Sequence, residues 1–149
     1  MTIVALPSDG SPHSVAAARR LVTPGLFERP LQIHLIHAFP ELTGRPQAYF
    51  SRPQMEQWAR EAAEEAFIPM RPILRAAQCT VTEHCRVGEA APQILEVVRA
   101  CNADLIVMGT HGRGAFLAAI MGSVAARVLS TAPVPVLLVA SHLCQDLHA

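Results

Sequence analysis

Four short apolar runs do most to constrain the fold of this chain: IVAL (Ile3 to Leu6), IHLIHAF (Ile33 to Phe39), DLIVM (Asp104 to Met108) and VPVLLVA (Val134 to Ala140). They are rich in Val, Ile and Leu and do not alternate apolar with polar, as suits strands buried on both faces of a parallel sheet. A fifth segment, CTVTEHCRV (Cys79 to Val87), does alternate and suits an edge strand with one wetter face.

Helical patterns fill the intervals. After Asp9-Gly10, Ser11 is placed to cap a helix with Pro12 at its first position, opening HSVAAARRLV. Met55, Trp58, Ala59, Ala62, Ala66 and Phe67 form one apolar stripe, which assigns Met55 and Trp58 to the core. Glu61, Glu64 and Glu65 lie largely on the other side of that helix. Pro69 and Pro72 predict a break or kink between Phe67 and Arg71. Ala91, Ile94, Leu95, Val98 and Cys101 mark the next helix, and a last one runs from Gly122-Ser123 to about Ser130, before Pro133 and Pro135. The order β-α-β-α-β-α-β-α-β predicts an open, mostly parallel, Rossmann-like α/β sheet with helices on both faces and right-handed crossovers. The long irregular connection, Glu41 to Pro53, suits a lid, a contact surface or disorder.

Composition bounds the function. With 149 residues, 51% hydrophobic and 16% charged, the chain reads as one globular domain over residues 1–149. Its formal net charge is +0 and its charges are interspersed, so no nucleic-acid partner is expected. All 12 basic residues are Arg; without Lys, a Walker A phosphate loop is excluded. The apolar runs are far shorter than the roughly 18 to 20 residues of a membrane span, and MTIVALPSDGS lacks a basic leader region, so a cytoplasmic protein is expected. Cys79, Cys85, Cys101 and Cys144 show no metal-ligand spacing and are expected as buried reduced thiols. His34 and His37, three apart on a strand, face opposite sides and are not placed to share a metal.

In an open parallel sheet, ligands bind beyond the carboxyl ends of the strands, where strand order reverses. LPSDGS follows the first strand and GTHGRG the fourth, so both stretches lie at such ends. Gly109 and Gly112 are expected to let the backbone approach a ligand and to permit positive φ. Gly122-Ser123 opens a helix whose free N–H groups favour an anion, with the Ser123 hydroxyl as a further donor. Two nests of amide donors suit phosphates bound mainly by backbone. The spacing Gly-x2-Gly-x9-Gly-Ser is not the dinucleotide fingerprint G-x-G-x-x-G, whose glycines all fall within one strand-to-helix turn.

This pattern resembles the ATP-binding branch of the universal stress protein family, marked by G-x2-G-x9-G-[S/T], which Gly109, Gly112, Gly122 and Ser123 match. IVALPSDGSPHSVAAARRL resembles the family's first strand and helix. IHLIHAF is similar to its second strand, CRVGEAAPQILEVVRACNADLIVMGTHGRG to its centre and STAPVPVLLVA to its closing segment. The resemblance implies a five-stranded sheet in order 3-2-1-4-5, of the adenine nucleotide alpha hydrolase-like type, binding ATP across strands 1 and 4. It places Asp9 by the nucleoside, with Pro7 and Ser8 beside it, and Ala38 facing adenine. It lines ribose and phosphates with Met108, Gly109, His111 and Gly112, sets Arg113 nearby, and closes Gly122, Ser123 and Val124 over the phosphates. It also implies a homodimer through the last strand, Val134 to Ala140.

Each residue also has a plainer reading. For Asp9 it is a turn residue in an Asp-Gly step, which ranks behind a ligand-facing role because the turn lies at a strand end in the crevice; Arg113 is equally a solvated cation. Neither His111 nor Ser123 has a base or nucleophile placed beside it, so no catalytic residue is expected. A Mg²⁺ could accompany the nucleotide; the Asp9 carboxylate is the only evident candidate metal ligand, and it is expected nearer the nucleoside than the γ-phosphate. Three readings follow: a regulatory stress-response protein holding ATP, AMP or ADP; a slow ATPase or nucleotide transferase; and a nucleotide-free dimeric scaffold. The first is favoured, because anion donors are present while a general base and a metal cluster are not evident.

Overall fold

All five predicted strands form: β1 (Thr2–Pro7), β2 (Leu31–Phe39), β3 (Thr80–Val87), β4 (Leu105–Gly109) and β5 (Val136–Val139). The computed structural model describes residues 1–44, 48–111 and 121–141. The strands pair in parallel in the order β3-β2-β1-β4-β5. Among the described residues, five α-helices connect them: α1 (Pro12–Leu21), α2 (Arg52–Phe67), α3 (Arg71–Ala76), α4 (Ala90–Ala100) and α5 (Ser123–Thr131).

Alternation along the strands divides the core into two layers. Val4, Leu6, Ile33, Leu35 and Val107 bury against α1, α2 and α3, while Ala5, Ile36, Ile106 and Met108 bury against α4 and α5. A strand covered on both faces needs apolar residues at successive positions, which is why β1 and β4 read as unbroken runs. β3 lies at an edge and is largely exposed on alternate residues, in keeping with its mixed sequence.

Local signals explain the helix limits. Ser11 caps α1 by accepting from the Ser14 N–H, and Pro12 takes the first helical position. Ser51 and Gln54 form a reciprocal capping box at the start of α2, so the helix begins just before the predicted irregular connection ends at Pro53. The expected break falls between Phe67 and Arg71, where the helical run divides into α2 and α3. Arg71 then braces the corner by pairing with Glu64 of α2 and Glu83 of β3. These carboxylates hold the guanidinium well above its ordinary range, and its hydrogen bond lowers Glu64.

Two core assignments are corrected. Met55 and Trp58 are half-buried, and Ala63 joins Ala59, Ala66 and Phe67 on the buried face of α2. The small alanines bring the helix close to the sheet, leaving the Trp58 ring at the margin, edge-on to Phe50 at 4.9 Å. The thiols are free but not fully buried: Cys79 and Cys101 are intermediate and Cys85 is exposed. Cys85 sits on the edge strand, which α2 covers only in part, with its Sγ 3.3 Å from the Ala59 carbonyl oxygen. Burial still pushes all three thiols above their ordinary pKa. Cys144 lies outside the described residues.

Candidate functional site

From β1 the chain passes to β2 on one side, and from β4 to β5 on the other. The strand order therefore reverses between β1 and β4. Beyond their carboxyl ends lies the crevice where this class of sheet binds ligands.

On the β1 side, Pro7 ends the strand and Ser8 is tied into the interior. The Ser8 N–H donates to the Ile36 carbonyl at 2.8 Å, and its hydroxyl donates to the Ala66 carbonyl at 2.9 Å. The Ser8 side chain is thus turned toward the end of α2, and its Oγ also holds the turn by accepting the Gly10 N–H at 3.1 Å. Gly10 follows with φ +77°, a conformation that glycine adopts without a Cβ penalty. Asp9 Oδ1 accepts from the Ser11 N–H and from the Ser14 hydroxyl, both at 2.9 Å. Its carboxylate therefore performs the turn-fixing role that an Asp-Gly step suggests, while the residue stays half-exposed at the strand end. His37 braces the same turn from β2, with Nδ1 2.8 Å from the Ser8 carbonyl oxygen and its ring edge-on to Phe67. Ala38, next along β2, is half-buried and in register with Arg86.

On the β4 side, Met108 packs its side chain into the α4–α5 layer, so its backbone is the part that lines the strand end. Gly109 does not take the positive φ expected of it. Its need for glycine comes from packing: a Cβ there would lie 2.8 Å from both His13 Cβ and His13 O. The first turn of α1 thus lies directly against β4. His111 continues this contact, its ring tilted against His13 with centroids 5.4 Å apart and its Nδ1 3.0 Å from the Thr110 hydroxyl.

Thr110 returns the chain to the same place. Its N–H donates to the Val139 carbonyl at 3.2 Å, and its carbonyl accepts the Gly122 N–H at 2.6 Å. Gly122, the N-cap of α5, is therefore drawn back to the end of β4. Its φ of −71° and ψ of 160° are open to any residue. Among the described residues no side chain caps α5, and Ser123 and Val124 are exposed, so the first N–H groups of that helix form an end suited to an anion. Gly112 and Arg113 lie outside the described residues.

His13 and His37 were not assigned to the crevice from the sequence. A requirement for glycine at position 109 was a signal that something packs against it, but only the tertiary structure names His13. Among the described residues, no group of three or more His, Cys, Asp or Glu is arranged to hold a metal ion. No helix among them is long and apolar enough to cross a membrane.

Comparison with known proteins agrees with this architecture. The model of the universal stress protein family matches residues 1–140. The chain is 32% identical over 142 residues to the universal stress protein in the QAH/OAS sulfhydrylase 3' region of Thermus aquaticus, covering 91% of this chain and 96% of that one. It is 31% identical over 140 residues to universal stress protein MJ0531 of Methanocaldococcus jannaschii, covering 91% and 80%. Among solved structures, hypothetical protein MJ0577 shares the fold with a TM-score of 0.75 at 20% identity, over 93% of this chain and 95% of that one. A universal stress protein in complex with cAMP gives 0.64 at 23% identity, over 94% and 97%. The Archaeoglobus fulgidus universal stress protein in complex with dAMP gives 0.63 at 22%, over 93% and 97%.

Proposed function

The chain belongs to the universal stress protein family, and from that premise we propose that it binds an adenine nucleotide, ATP, at the crevice between β1 and β4. The observation that carries the reading is the Thr110–Gly122 hydrogen bond, which draws the N-terminus of α5 back to the end of β4. Backbone N–H groups at Ser123 and Val124 supply donors for phosphate oxygens without any lysine. The Asp9 turn and Ala38 bound the crevice on the nucleoside side. The cAMP and dAMP held by two relatives of the same fold support adenine as the base.

In this reading the protein works as a single domain that binds and responds to nucleotide, in a stress-response role, without rapid turnover. A Mg²⁺ would enter with the phosphates, where it would balance their charge. β5 stands at the sheet edge with Val136, Leu137 and Leu138 only half-buried, so Val134 to Ala140 is the segment proposed to join two copies.

The test is the nucleotide content of the purified protein, with calorimetric titration of ATP and Mg²⁺. The expected result is bound adenine nucleotide in the wild type and loss of binding in Gly122→Val. Valine can adopt the Gly122 backbone angles, so that loss would report crowding at the phosphates. Undiminished affinity in Gly122→Val, or a wild type that binds no adenine nucleotide, would refute the reading. Steady accumulation of ADP would assign the site to a slow ATPase instead.

A further inference from the structure

On the α4 face of the sheet, Gln32, His34 and His84 stand in a row across β2 and β3. In the strand register His34 lies opposite Thr82, and His84 opposite Ile36, so the two histidines are diagonal neighbours on one face. His34 Nδ1 is 2.8 Å from His84 Nε2. The ring centroids are 5.1 Å apart and the planes are within 25° of each other. That centroid separation exceeds the N···N distance by about two imidazole radii, so the rings lie end to end, the N–H of one directed at the lone pair of the other. The pair is half-sheltered, with His34 only 8% exposed.

We propose that His34 and His84 form a proton-sharing imidazole pair that ties the edge strand β3 to the sheet and releases it in acid. This goes beyond nucleotide binding and uses none of the crevice residues. When both rings are neutral, one N–H···N bond joins them. One added proton keeps the bond, since a cationic ring donates to its neutral partner. The Gln32 amide, 3.3 Å from His34 Nε2, can present its NH₂ group or, turned over, its carbonyl oxygen, and so accommodates either state. A second proton places N–H groups on both facing nitrogens, removes the acceptor and sets two cations against each other.

The surroundings do not offset that repulsion. From β1, Ala5 stands in register with His34 and carries no charge. From β3 itself, Arg86 is the nearby cation; it is held by Glu96 at 2.6 Å and Gln93 at 3.0 Å, both from α4. Glu83 is engaged by Arg71 on the opposite face. Burial lowers the pKa of His34, and burial, then His34, then Arg86 lower that of His84. Both folded values therefore lie below the ordinary 6.5 of the unfolded chain. As pH falls through 6.5 the unfolded chain takes up protons first, so the stabilisation is full above that value and is lost as pH falls through the folded values.

The test is histidine ¹⁵N NMR on the whole chain between pH 8 and 4.5, with amide exchange measured alongside. The expected result is a coupling across the His34–His84 hydrogen bond at neutral pH that survives one protonation and disappears with the second. Protection of the β3 amides should fall with it, about tenfold for each unit by which the pair is depressed. His84→Gln can accept from His34 without titrating, so only the burial of His34 remains and the variant's β3 protection factors should fall less over the same range. Absence of the coupling in the neutral wild type would overturn the proposal, and so would the same acid loss in His84→Gln. Should that variant not fold, the wild-type coupling alone decides.

Discussion

Replacing Gly109 with alanine would test how closely β4 is fitted to α1. The new Cβ would lie 2.8 Å from His13 Cβ, 2.8 Å from His13 O and 2.9 Å from His13 C. Unstrained carbon contacts sit at about 3.5–4.0 Å, so the helix start must give by roughly 0.7 Å or more. Two of the three obstructing atoms are backbone, so no change of rotamer relieves the contact. Overpacking of this kind costs about 1–3 kcal/mol. Because Gly109 does not take a positive φ, alanine meets no backbone penalty and recovers about 0.4–1 kcal/mol by restricting the unfolded chain. The net expectation is a loss centred on about 1.3 kcal/mol. In thermal unfolding each kcal/mol corresponds to about 2–4 °C for a chain of this size. Urea unfolding should show a lower midpoint at unchanged slope. The segment pushed aside is the first turn of α1, with the Ser11 cap and the Asp9 turn, so ATP affinity should fall as well. Adding His13→Gly removes the Cβ but leaves the carbonyl, and should restore only part of the loss. A Gly109→Ala protein as stable as the wild type, or more so, would show the packing argument to be wrong.

Other perturbations probe separate parts of the structure. Asp9→Ala removes the acceptor for Ser11 and Ser14 and should cost about 1–2 kcal/mol, whereas Asp9→Asn keeps an oxygen there and should stay within about 0.5 kcal/mol of the wild type in urea. Equal losses in both would mean that the negative charge, not the acceptor geometry, fixes the turn. Leu35→Ala, at a fully buried position between the sheet and α2, should lose about 2–5 kcal/mol; a loss below about 1 kcal/mol would mean that the layer collapses around the cavity. Burial raises the Cys85 pKa although the residue is exposed, so its alkylation, followed site by site by mass spectrometry, should be slow at pH 7 and rise about tenfold per pH unit toward alkaline pH. A rate already at its plateau at neutral pH would contradict that assignment.

The elements were legible where their signal is local. Unbroken apolar runs marked β1, β2, β4 and β5, and the Ser11-Pro12 pair marked the start of α1. Pro69 and Pro72 marked the division between α2 and α3, and the alternation of Cys79 to Val87 marked an edge strand. Met55 and Trp58 were misassigned because helical periodicity gives a direction around the axis, not how far the helix overlaps the sheet along it. Cys85 was misassigned for a related reason: apolar character does not say how much of an edge strand a helix will cover. For the candidate site, the position of LPSDGS at the end of β1, of Gly109 at the end of β4 and of a helix start at Gly122-Ser123 was legible. Gly109 has a different physical reason from the positive φ expected of it: a Cβ there would meet the His13 backbone.

The sequence by itself determined the order of strands and helices, the location of the crevice loops and the family to which the chain belongs, because each rests on patterns within a few residues or on motif spacing. Only the tertiary structure set His13 against Gly109 and His111, returned Gly122 to Thr110, and aligned His34 with His84. Those contacts depend on strand register and on the close approach of elements distant in the chain. The physical reason is that a side chain's neighbours across a sheet are chosen by the packing of the whole core, which no local pattern encodes.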